Sequence, residues 1–260
     1  MPTPTFGTPA RKALYLATSD PLRIDSEGEA LVLRRRAVAA TRHPFARIDR
    51  IVCNRHADWS GEALARCLQH GIPVTWVDGH GQLVGSAAPR LAPRHPFEIL
   101  LHTYLDRPDW PARYANWLRC RRMDILVVVA LRAARRNHPL AQHEFDEYKR
   151  DYVYNQHLEA VLPPIVRGWC HAFVTRRLTD LGLPGRHWGY DGQPLELADD
   201  LTGLLWAELT LECATLAAAA DAPRAHALIV ESWLACHPTR LPDHLARLKR
   251  HLARENAQWP

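Results

Sequence analysis

The feature that most constrains the fold of this chain is a change of apolar rhythm across Ser86 to Pro96, "SAAPRLAPRHP", where Pro89, Pro93 and Pro96 interrupt any regular element. Before it, "ALYL", "LRID", "EALVLRR" and "RIDRIVC" carry apolar residues near period two, with a turn at Ser26-Glu27-Gly28, so they read as short strands. "SGEALARCLQHG" breaks that rhythm. Ser60 can cap a helix there, Ala63, Leu64, Cys67 and Leu68 line one face, and Gly71 suits a left-handed stop. "IPVTWVD", the turn "GHG" and "QLVG" then give two more strands. After the proline run, apolar residues recur at helical spacing to the end of the chain. The rhythm predicts an α+β protein: a β-rich domain over 1–86, a linker over 87–96 and an all-α domain over 97–260.

The helical stretches are "FEILLHTYL", "WPARYANWLRCRRMDILVVVALRAARR", "HLEAVLPPIVRGWCHAFVTRRLTDLG", "LELADDLTGLLWAELTLECATLAAA", "APRAHALIVESWLACH" and "LPDHLARLKRHLARE". Pro163 and Pro164 must kink or restart the third of them. The chain has 260 residues, 47% of them hydrophobic, which is enough for a sizeable core. Its formal charge of +5 leans towards a polyanionic partner. Six cysteines, Cys53, Cys67, Cys120, Cys170, Cys213 and Cys236, form no CxxC pair and read as reduced core residues. The amino terminus lacks the apolar stretch of a signal peptide, and the longest uncharged apolar run, Ile125 to Leu131, is too short to span a bilayer. The expectation is a soluble, cytoplasmic protein with no membrane partner.

One polar stretch invites a chemical reading. "HWGYDGQPLELADD" runs from His187 through a glycine-rich turn into Asp199 and Asp200. Such a turn can bring an imidazole and a carboxylate onto one metal ion, or the two acids can be the first turn of a helix, favoured by its dipole. Spacing alone leaves both open.

A family resemblance bears on that choice. "RIDRIVCNRHADWSGEALARCLQHGIPVTWVDGHGQLVG", with its "GIPV" strand and D-x-x-G turn, is similar to the amino-terminal domain of the CRISPR-associated integrase/endonuclease family (Cas-one, the catalytic subunit of spacer acquisition in antiviral defence). Asp151 with Asn155, Leu181-Gly182-Leu183, His187, Gly192-Gln193-Pro194-Leu195 and Asp200-Leu201 fall in the order of that family's second half. The likeness covers residues 12–86 and 150–205, is poor between them, and the chain is short for the family.

What the resemblance implies is a β-domain that forms a homodimer, a helical domain with a Mg or Mn site, and DNA as the substrate of a phosphoryl transfer. It also implies a small ferredoxin-like integrase subunit as partner. His187 matches the family's histidine and Asp200 its aspartate, and both are expected to hold the metal and to be catalytic. For the family's glutamate the candidates are Asp124 in "RRMDILVVV" and Glu144 in "HEFDEYKR", or no residue at all. The family's second acid, one turn after the aspartate, is replaced by Gly203, and Glu208 is a further acid that could be recruited. Two functions therefore remain: a metal-dependent DNA integrase or endonuclease with an incomplete site, and a catalytically inactive relative acting as a DNA-binding scaffold or regulator.

Arg113, Arg119, Arg121, Arg122, Arg132, Arg135 and Arg136 load one helical region with positive charge, interleaved with Trp110, Tyr114 and Trp117. They are candidates for sequence-independent DNA contacts, or for a solvated helix face. His237, His244 and His251 recur every seven residues, too far apart to share a metal, and read as part of a polar terminal helix interrupted by Pro238 and Pro242, with Arg247, Lys249, Arg250 and Arg254 making that tail basic.

Overall fold

The computed structural model describes residues 11–16, 20–89, 96–135, 137, 139–158, 162–183, 195–213 and 223–259. The architecture is α+β, strands first and helices after.

Among the described residues eight strands form two four-stranded sheets. The first has the order β1 (Lys12–Leu16), β5 (Ile48–Cys53), β7 (Val74–Val77), β8 (Leu83–Ala87). β1, β5 and β7 run parallel, with Ile51 opposite Val74, and β8 folds back antiparallel on β7. The second sheet has the order β4 (Thr41–Pro44), β3 (Ala30–Arg35), β2 (Leu22–Glu27), β6 (Ala57–Trp59). The short strands β4 and β6 carry too few apolar residues to show a period and were not legible in the sequence.

Parallel neighbours need a crossover, and α1 (Gly61–Gln69) supplies it between β5 and β7. Its start is chemical: the Ser60 hydroxyl accepts the Ala63 N–H at 3.2 Å. Its end is conformational, with Gly71 at φ +72°. Ala63 and Cys67 of α1 join Leu22, Ile24, Phe45, Ile51 and Ile72 in a closed apolar core.

The helical part contains α2 (Pro96–Leu105), α3 (Trp110–Arg135), α4 (Gln142–Tyr148), α5 (Pro164–Asp180), α6 (Leu197–Cys213), α7 (Pro223–Cys236) and α8 (Arg240–Ala257). A π-helical turn over Lys149–Tyr154 follows α4 and buries Tyr152 and Val153. Pro164 sits at the start of α5, so the proline pair restarts the helix. α5 is the central element, burying Val166, Trp169, Ala172, Val174 and Leu178.

The terminal run is broken at Pro238, as expected, since that residue lies between α7 and α8 and leaves His237 outside the last helix. The rest of the expectation is corrected: the run is not broken at Pro242, and α8 is amphipathic rather than polar throughout. α8 runs unbroken because Pro242 lies in its first turn, where the missing N–H has no helical partner to lose. It buries Leu241, Leu245, Leu248 and Leu252 at helical spacing, together with His244, which lies 3.5 Å from Glu208. His251 packs against Tyr104 and Trp117. The cysteines also divide: Cys53, Cys67 and Cys170 are buried, whereas Cys120 and Cys236 are exposed. Among the described residues no helix is long and apolar enough to cross a membrane.

Strands and helices share one core, since Val52 and Val77 belong to the same apolar cluster as Trp169 and Leu178. Tyr15 of β1 tilts onto Trp169 with ring centroids 4.9 Å apart. The Arg176 side chain bonds the Gly71 carbonyl and lies 3.3 Å from Asp49. α5 is thereby fixed against the first sheet, which positions the polar groups it carries on its other side.

Candidate functional site

Asp199 and Asp200 occupy the first turn of α6, where the helix dipole favours negative charge. They face a pocket of about 280 Å³, walled by Arg122 of α3, by Tyr152, Gln156 and His157 at the end of the π-helical turn, by Arg167 of α5, and by Gly203 and Trp206 of α6. Asp199 accepts from Arg167 at 2.7 Å. Burial pushes the Asp200 carboxyl up to about 6; the Tyr114 hydroxyl, which has no partner of regular hydrogen-bond geometry, and the Arg122 guanidinium each offset part of that rise.

Beneath the acids His171 of α5 is buried, with its Nδ1 3.3 Å from the Thr202 hydroxyl. That hydroxyl donates to the Ala198 carbonyl at 2.6 Å, so it accepts from His171 Nδ1–H, and the two helices are tied directly below Asp199. Burial pulls the imidazole down to about 4, which keeps it neutral in the folded chain. The unfolded chain, with an ordinary value of 6.5, binds a proton that the folded chain refuses as pH falls. Stability should therefore drop by about 2 kcal/mol between pH 7 and pH 5 from this group. Urea midpoints of wild type and His171→Gln at both pH values measure it; an identical pH dependence in the two would remove the assignment.

His187 lies outside the described residues. Of the candidates for the missing glutamate, neither reaches the pocket. Asp124 is 2.5 Å from Arg121 and 3.8 Å from Arg247, and it does not line the cavity. Glu144 turns back on its own helix, accepting the Ala141 N–H at 2.7 Å. Glu208 is buried against Arg240 and His244. The place one turn after Asp200 is open, because a Cβ added at Gly203 would meet no atom within 4 Å.

The arginines divide as well. Arg113 bonds Asp109 and Glu255, Arg132 bonds Glu212, and Arg121 is buried beside Asp124. Arg119 lies over the Tyr154 ring at 5.8 Å, Arg122 faces the pocket, Arg135 is exposed, and Arg136 is outside the described residues. Tyr114 and Trp117 are core residues. Sequence reasoning missed Arg167, Gln156 and His157; the nearest signal was the Asp151–Asn155 marker, which immediately precedes Gln156 and His157.

A hard divalent cation needs several convergent oxygen ligands. Among the described residues no group of three or more His, Cys, Asp or Glu side chains converges in that way. On the α3 side the pocket presents a guanidinium. The described residues alone therefore do not fit a Mg or Mn ion.

Comparison with known proteins bears on the whole arrangement. The family model for CRISPR associated protein Cas1 matches residues 14–152, more than half of the chain. The chain belongs to the Cas1 family. No curated protein matches it in sequence. A Cas1 protein from Thermotoga maritima superposes with a TM-score of 0.66 at 14% identity, over 93% of this chain and 97% of that one. TtCas1 in a DNA complex gives 0.57 at 15% identity, over 94% and 91%. A casposase bound to an integration product gives 0.52 at 13%, over 81% and 74%. At such identities these likenesses show the Cas1 fold and leave the roles of individual residues to chemistry. The family match also stops at Tyr152, before α6 and its two acids.

Proposed function

We propose that this Cas1-family protein binds double-stranded or branched DNA, directs a backbone phosphate into the Asp200 pocket, and cuts or joins the strand there. The chemistry would be attack of a 3'-hydroxyl on a phosphodiester, or its reverse. The observation that carries the reading is the pocket itself, which gathers Asp199, Asp200, Arg122 and Arg167 at one end of α6. On the resemblance to the family's histidine and aspartate, His187 and Asp200 are the pair on which activity depends. Residues 1–86 would pair two copies, and a small ferredoxin-like subunit would join the dimers.

The test is a strand-joining and nicking assay on a labelled branched DNA with Mg or Mn present. Wild type should give product, and His187→Ala and Asp200→Asn should each reduce it at least about a hundredfold, the scale of losing a group used in the transition state. Activity unchanged in both variants would overturn the site assignment. A second reading, a DNA-binding scaffold without activity, is favoured by Arg122 on the α3 wall and by the bare Gly203. On that reading DNA binding falls steeply with salt, persists in chelator, and is accompanied by no product at any metal concentration.

A further inference from the structure

We infer that Arg122 and Arg167 seat a DNA phosphodiester directly, with a guanidinium rather than a divalent cation meeting the phosphate oxygens. The inference rests on the DNA-binding reading and deepens it. Its starting point is the geometry of α3. Successive residues turn by about 100°, so Arg122 and Asp124 point about 200° apart. Once Arg122 faces the pocket, Asp124 faces Arg121 and Arg247 instead. The next residue on the Arg122 face is Leu126, which is fully buried. The α3 wall therefore brings one cation to the pocket and no acid.

Arg122 is held for this task. One Nη donates to Gln156 Oε1 at 2.9 Å, which orients the planar group while leaving further N–H donors for a ligand. Arg167 is pinned on the α5 wall by Asp199 at 2.7 Å. The same pocket is lined on the α6 side by Gly203, where an added Cβ meets nothing within 4 Å. Two guanidinium groups over an open floor match a phosphodiester, whose oxygens accept paired N–H bonds. The Asp200 carboxylate repels an anion, so the phosphate is placed on the guanidinium groups of Arg122 and Arg167 and away from that carboxylate.

The experiment titrates a labelled branched duplex in EDTA, and again with Mn, over a range of salt. Wild type should bind in EDTA. Arg122→Gln should weaken that binding about tenfold and reduce the salt slope by about one, as expected for losing one charged phosphate contact. Arg122→Lys should recover only part of the loss, since an ammonium lacks the fork. Gly203→Asp adds a carboxylate to the seat, and should weaken binding in EDTA and regain it with Mn. Arg35→Gln, on the exposed end of β3, controls for bulk charge and should change affinity less than twofold. If Arg122→Gln binds like wild type in EDTA, or if wild type binds only with Mn, the guanidinium seat is wrong while the DNA reading stands. If wild type fails to bind DNA at low salt with or without Mn, the DNA reading itself is wrong.

Discussion

Gly81→Ala should lower the stability of the protein by about 3 kcal/mol or more, which combines the cost of a left-handed alanine with that of an overpacked contact. Gly81 has φ +75° and closes the turn after β7, where Asp78 Oδ1 accepts the N–H groups of His80 and Gln82 at 2.8 Å. A Cβ there would fall 1.7 Å from the Pro164 carbonyl oxygen and 2.2 Å from its carbon. Both partners are backbone, one in a tight turn and the other at the start of α5, so neither can give way cheaply. Gly168, one helical turn after Pro164, is also tight, since a Cβ there would sit 2.3 Å from a Val77 methyl. The same helix carries Arg167 and His171, so moving it also disturbs the pocket wall. Gly85→Ala is the control, because it has ordinary φ and open space and should cost less than about 1 kcal/mol. Equal urea midpoints for the two variants would show that the approach of α5 to the turn is not this close.

That junction also marks what a sequence can disclose. Long helices and amphipathic strands were legible because burial imposes a period, and local chemistry was legible where one side chain acts on its own backbone, as Ser60 does at α1. The "GHG" turn was read correctly as a turn, but nothing in it states that Pro164, more than eighty residues later, would lie against Gly81. The site behaved in the same way. Asp200 was placed at the head of its helix by pattern and resemblance, and it lines the pocket. Asp124 was a candidate because it is an acid in the stretch before the Asp151–Asn155 marker, whereas what decides its use is the direction it faces around α3. Arg122 and Asp124 are two residues apart, and only one of them can face α6. The π-helical turn was invisible because its single extra residue per turn alters no composition, yet it sets where Tyr152, Gln156 and His157 meet the pocket.

A different expectation concerns the buried charge between strands and helices. Arg50 of β5 is 3% exposed and bonds Glu231 of α7 at 2.5 Å, Tyr15 of β1 at 3.2 Å and Asp49 at 3.0 Å, while its guanidinium lies 5.1 Å from the centre of the Phe173 ring. Burial raises the Tyr15 phenol far above its ordinary range, so it stays protonated and donates to Glu231. Glu231→Ala leaves Arg50 in place with fewer partners, and stranding a fully buried charge costs about 3–5 kcal/mol. Because the Glu231 side chain is 37% exposed and Asp49 remains bonded, the expected loss is nearer to about 2 kcal/mol. Arg50→Met should cost less, since it removes the buried charge itself, keeps most of the volume beside Phe173, and leaves Glu231 able to reach water. With Met at position 50, Glu231→Ala should still cost about 1 kcal/mol, because it leaves the Tyr15 hydroxyl without its acceptor, but less than it costs in the wild type. Urea unfolding of the two single variants and the double variant measures the coupling. Strict additivity of the two single losses would mean that this pair does not hold α7 to the sheet, and that the shared apolar core around Trp169 does so alone.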